Sequence, residues 1–74
     1  MNQSEQKETI KQIRQRYHLT AQRVAEMASV PLRVEYLMEI GCPVSKKDAE
    51  KVMQALSALT GDRFTLLDVT INVK

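Results

Sequence analysis

Pro31 stands between two short runs that each have helical spacing, and it constrains this chain more than any other residue. A proline has no N–H to donate, disfavours helical geometry at the residue before it, and suits the first position of a new helix. Ahead of it, Thr20 is a good N-cap, and Ala21, Val24, Ala25 and Ala28 recur at spacings of three and four, lining one narrow face with small apolar groups. Behind it, Val34, Leu37 and Met38 form a second core face, with Val30 just before it and Gly41 placed to end the helix in the left-handed region. Ser29 and Val30 are left to make the turn. Residues 20–41 therefore read as a helix-turn-helix.

The flanking segments fit around this unit. Residues 1–7 are polar and expected to be flexible. Ile10, Ile13 and Tyr17, with Leu19 closing the end, predict a helix from about residue 8 to His18, whose imidazole would interact with the last carbonyls. After a loop at Cys42, Pro43 and Val44, Ser45 and Asp48 have the form of a capping box, and Ala49, Val52, Met53, Leu56 and Leu59 stripe the longest helix, which should end near Gly61. Thr65 and Asp68 repeat the box pattern around a last turn. Beyond them Val69, Ile71 and Val73 alternate with Thr70 and Asn72, the period of a strand. No second strand is evident in the sequence. The simplest partner is then the same strand of another copy, paired antiparallel about a two-fold axis, which predicts a homodimer through residues 69–74 and a helix-turn-helix domain over 8–68.

Seventy-four residues allow one domain with a small core, which oligomerisation would help. No apolar run approaches the roughly 20 residues that span a bilayer, and the N-terminus lacks a signal-peptide core, so no membrane and a cytoplasmic location are expected. Cys42 and His18 are the only cysteine and histidine, leaving no metal-ligand set, and no phosphate loop, nucleophile elbow or carboxylate pair in a plausible cleft is present. The expectation is a protein that is not an enzyme and has no cofactor. The formal net charge of +2 is unevenly spread: five basic residues and one acid lie between Lys7 and Arg23, whereas Glu26, Glu35 and Glu39 face only Arg33 before Gly41.

The order of elements, with LTAQRVAEMASVP, then EIG, then the Ser45-capped helix and its TGDRFTLLDV ending, resembles a lambda-repressor-like (Cro/Xre-type) DNA-binding domain over about residues 9–69. The resemblance implies an all-α, compact four- to five-helix domain with a short C-terminal β-strand. It also implies sequence-specific double-stranded DNA binding by a small dimeric transcriptional regulator whose second motif helix lies in the major groove. A helical wheel with Val34, Leu37 and Met38 inward turns Leu32, Tyr36 and Glu39 outward, with Arg33, Glu35 and Ile40 on the flanks. On that wheel Arg33 is placed for guanine, Glu35 for cytosine, Tyr36 for phosphate or a thymine methyl and Leu32 for a methyl, while Gln22, Arg23, Lys46 and Lys47 stand at helix starts where such domains meet the backbone. The chain departs from the family pattern at Ala21, where Gln is common, at Ser29, where Gly is common, and in PLRVEYLMEI, where the family favours Ser, Thr, Arg and Gln. Glutamates on a reading helix repel a polyanion, and Leu32, Tyr36 and Ile40 recur at a spacing of four. The same residues are therefore also compatible with a protein-binding module of this shape, adaptor- or antitoxin-like, with weak or no DNA binding.

Overall fold

The computed structural model describes residues 7–74; the rest of the segment expected to be flexible, 1–7, lies outside the described residues. In chain order come strand β1 (Glu8–Thr9), helices α1 (Ile10–Arg16), α2 (Ala21–Ala28), α3 (Leu32–Glu39) and α4 (Lys46–Thr60), and strand β2 (Val69–Thr70). The described chain is thus mostly helical, with four helices and a short two-stranded sheet.

Each helix begins where a hydroxyl can satisfy its free N–H groups, with one exception. Thr20 accepts from the Arg23 N–H at 3.0 Å and Ser45 from the Asp48 N–H at 3.1 Å. Thr9 accepts from the Gln12 N–H at 3.1 Å, while the Gln12 side chain accepts from the Thr9 N–H at 2.9 Å, a reciprocal box. Helix α3 is the exception: Pro31, extended at φ −61° and ψ 145°, leads into it without a side-chain cap.

Three helices end by one device. A residue one or two places past the helix turns left-handed, and its N–H and that of the next residue bond back to the last turn. Gly41 does this after α3, with the Cys42 N–H 2.9 Å from the Leu37 oxygen. Ser29 does it after α2 and His18 after α1, both at φ 59°, with the Val30 N–H on the Ala25 oxygen at 3.1 Å and the Leu19 N–H on the Arg14 oxygen at 2.8 Å. Helix α1 is accordingly shorter than its periodicity suggests: it stops at Arg16, and His18 lies beyond it in the reversal.

The core forms where the small face of α2 meets α4. Val24, Ala25 and Ala28 pack with Ala49, Val52, Ala55 and Leu56, and Ile10, Ile13, Met38 and Val69 extend the cluster. Small residues on α2 let the two backbones approach closely.

The tail corrects one expectation. Its strand has a partner in this chain: β1 pairs with β2 in parallel, Glu8 opposite Val69 and Thr9 opposite Thr70. Farther on, Val44 and Val73 form a parallel bridge, the Val44 N–H donating to the Asn72 oxygen and the Lys74 N–H to the Val44 oxygen, both at 2.9 Å. Val69 is buried in the core, and Ile71 and Val73 pack against it half-buried. The three side chains assigned to dimerisation therefore serve the fold of one copy. Two strand residues flanked by a polar stretch and a helix carry no alternation, so no periodic signal marks β1 in the sequence. The turn before β2 matches expectation: Asp68 accepts from the Thr65 N–H and hydroxyl, each at 2.9 Å.

Candidate nucleic-acid interface

The face of α3 is decided by what lies beneath it. The helix turns Glu35 and Met38 into the protein, with Val34 and Leu37 half-buried beside them. Glu35 is 0% exposed and neither of its oxygens accepts a hydrogen bond. An ionised carboxylate bare of partners in such a place is strongly disfavoured. Burial, followed by the neighbouring Glu39 carboxylate, pushes Glu35 up to about 9, against the opposing pull of Arg14. At neutral pH Glu35 is therefore an uncharged acid, able to donate its proton to Glu39 rather than repel it.

Glu39, one turn on, is held by α1. Arg14 Nε donates to Glu39 Oε2 at 2.7 Å and Nη2 to Oε1 at 3.0 Å, a fork on a fork, and Nη1 donates to the Leu19 carbonyl at 3.1 Å. Burial works to raise the Glu39 carboxyl, but the Arg14 bonds and the proton offered by Glu35 outweigh it and leave Glu39 below its ordinary value. The bonds to Glu39 raise Arg14 in turn. The C-terminal end of α3 is tied a second time, where Asn72 Nδ2 donates to the Gly41 oxygen at 3.2 Å.

This arrangement corrects the wheel. Glu35, expected on a flank and within reach of cytosine, is inside, and Glu39, expected outward, is engaged by Arg14. The sequence holds only a weak signal for it: like charges at i and i+4 on a helix disfavour each other slightly, which singles out the Glu35/Glu39 pair without saying which acid turns inward.

The outward face of α3 then consists of Leu32, Arg33, Tyr36 and Ile40, all exposed, with Tyr36 51% and Ile40 72% accessible. Arg33 is its only charged residue. Gln22 and Arg23 are exposed in the first turn of α2, where Gln22 Nε2 donates to Glu26 at 3.3 Å. Lys46 and Lys47 are exposed in the first turn of α4. Seven of the eight residues assigned to DNA from the sequence, Gln22, Arg23, Leu32, Arg33, Tyr36, Lys46 and Lys47, are thus at the surface, on the starts of α2 and α4 and along α3, and Glu35 is not. Helix α3 packs against α1, α2 and α4 through its other side, which leaves this face uncovered among the described residues. Arg14, absent from the sequence-derived set, is what engages Glu39 beside this face.

Among the described residues no helix is long and apolar enough to cross a membrane, and no three acidic, His or Cys side chains gather as a metal site would require. Cys42 is a half-buried free thiol in the loop after α3. No protein-family model matches this chain, and neither a curated protein nor a solved structure matches it.

Proposed function

We propose that this domain binds double-stranded DNA as a small transcriptional regulator, presenting the outward face of α3 to the major groove and the starts of α2 and α4 to the phosphates. One observation supports it above the rest: both acids of α3 are taken out of play, Glu35 by protonation in the interior and Glu39 by Arg14, so the helix offers a polyanion the cation Arg33 and no free carboxylate. The electrostatic objection raised by the sequence falls away. Arg23, Lys46 and Lys47 add positive charge at helix N-termini, which themselves favour phosphate.

The test is a fluorescence-anisotropy titration of a mixed-sequence duplex pool at two salt concentrations, with bound molecules recovered and sequenced. Salt-sensitive binding with an enriched site is expected. Lys46→Ala and Lys47→Ala should each lower the slope of log affinity against log salt by about 1, and Arg33→Ala should relax sequence preference. Absence of binding at low salt overturns the reading.

Val69, Ile71 and Val73 pack within one copy, so the tail serves the fold of the single chain as well as any homodimer on a two-fold site. Deleting residues 69–74 is therefore expected to lower the melting temperature.

A second reading, a protein-interaction module, draws on the exposed apolar row of Leu32, Tyr36 and Ile40. It requires binding to a protein partner that is lost on Tyr36→Ala, with DNA binding weak and indifferent to sequence.

A further inference from the structure

The outward face of α3 is nearly devoid of hydrogen-bonding groups. Of its four side chains only Arg33 can make a bidentate contact, Tyr36 adds a single hydroxyl, and Leu32 and Ile40 offer only carbon. Glu35, the acid assigned to cytosine from the sequence, is sealed beneath the helix, and Glu39 has both oxygens committed to Arg14. Such a face cannot read the donor and acceptor pattern of several base pairs. One feature of the major groove does match it: the C5 methyl of thymine, the apolar group among the base edges.

The geometry points to thymine methyl groups as the ligands of Leu32 and Tyr36, with Arg33 beside them reserved for a guanine. This rests on the DNA-binding reading above and narrows it to a class of site. Leu32 and Tyr36 are four residues apart, about 6 Å along a helix axis, close to two base steps of about 3.4 Å each. Thymines about two steps apart therefore suit the pair. Burying Leu32 and Tyr36 against methyl groups also removes from water an apolar row that α3 otherwise leaves exposed. Arg23, Lys46 and Lys47, exposed at the starts of α2 and α4, supply positive charge complementary to phosphates.

The experiment uses the full chain and the duplex enriched from the pool, synthesised once with thymine and once with deoxyuridine at every thymine position. Deoxyuridine keeps every base-pairing and hydrogen-bonding group and removes only the methyl. Each contacted methyl lost is expected to weaken binding about fourfold, the equivalent of about 0.8 kcal/mol per buried carbon, so two contacts give a ratio above about tenfold. Leu32→Ala and Tyr36→Ala should each shrink the thymine-to-deoxyuridine ratio, whereas Arg33→Ala should weaken binding to both duplexes and leave the ratio intact. Equal affinity of the unaltered protein for the two duplexes would overturn the methyl assignment while leaving DNA binding standing. A ratio that persists in the doubly substituted Leu32→Ala, Tyr36→Ala protein would also overturn it, by tracing the preference to duplex shape. No binding to the thymine duplex at low salt would overturn the DNA-binding reading and this inference with it.

Discussion

Helices α3 and α4 are both amphipathic, but they achieve it by opposite means. Helix α4 buries Ala49, Val52, Met53, Ala55 and Leu56, so its inside is apolar and its outside charged, as the spacing indicates. Helix α3 buries a glutamate next to Met38 and exposes Leu32, Tyr36 and Ile40. The contrast teaches that polarity in a sequence does not map directly onto exposure when a proton or a guanidinium can remove the charge. In α4 apolar side chains make up the buried face, whereas in α3 Met38, Val34 and Leu37 share it with Glu35, and the Arg14–Glu39 pair ties the helix to α1.

Substitutions on the two helices separate these mechanisms. The largest effect is expected in α4, where Leu56→Ala removes a fully buried side chain and should cost about 3 kcal/mol in urea unfolding. A loss below about 1 kcal/mol would mean that α4 is not the helix the core is built on. Next comes Arg14→Ala, which leaves Glu39 partly buried without its partner, expected at about 2 kcal/mol because the pair retains some solvent contact. If Arg14→Ala behaves like a surface pair, with a loss of a few tenths, the cluster does not hold α3 in place.

Glu35→Gln sharpens the comparison through pH. The folded-state value for Glu35 lies above its ordinary 4.5, at about 9, so the folded protein holds a proton that the unfolded chain gives up. That contribution to stability is complete below about 4.5 and is lost as pH rises toward 9. The groups acting on the cluster are Arg14 and Lys11 from α1 and Glu39 from α3 itself. Glutamine has no proton to lose, so the melting temperature of Glu35→Gln relative to the unaltered protein should rise steadily between pH 5 and 9. A constant difference would show that Glu35 does not carry the shift. The smallest effect concerns helix ends. Gly61 closes α4 at φ 81° without steric penalty, while Ser29 stands at φ 59° in the turn that leads to α3. Ser29→Gly should gain about 0.5 kcal/mol, the relief of a left-handed serine less the added freedom of the unfolded chain.

Sequence reasoning found the parts of this fold that rest on local chemistry. Thr20 and Ser45 as caps, Pro31 as the break, Gly41 and Gly61 as stops and the stripe of α4 all act within a few residues of themselves. The Thr9/Gln12 box was equally local and is written in the chain, but the pairing of Glu8–Thr9 with Val69–Thr70 joins segments about sixty residues apart and leaves no periodic trace. The candidate site was legible to the extent that exposure follows polarity, as it does for Arg23, Arg33, Lys46 and Lys47. It failed at Glu35 because a carboxyl is assigned outward on the assumption that it is charged, and only the approach of Glu39, Arg14 and the core reveals that it is not.

The ionisation state of Glu35 is the point on which the outward face of α3 depends, and carbon-detected NMR of the glutamate side-chain carboxyls across pH measures it directly. With the resonance assigned by its disappearance in Glu35→Gln, Glu35 should be uncharged at pH 7 and titrate near 9, while Glu39 titrates below 4.5. A Glu35 carboxyl ionised at pH 7, with a midpoint near 4.5, would mean that α3 carries a free acid after all and would contradict the account.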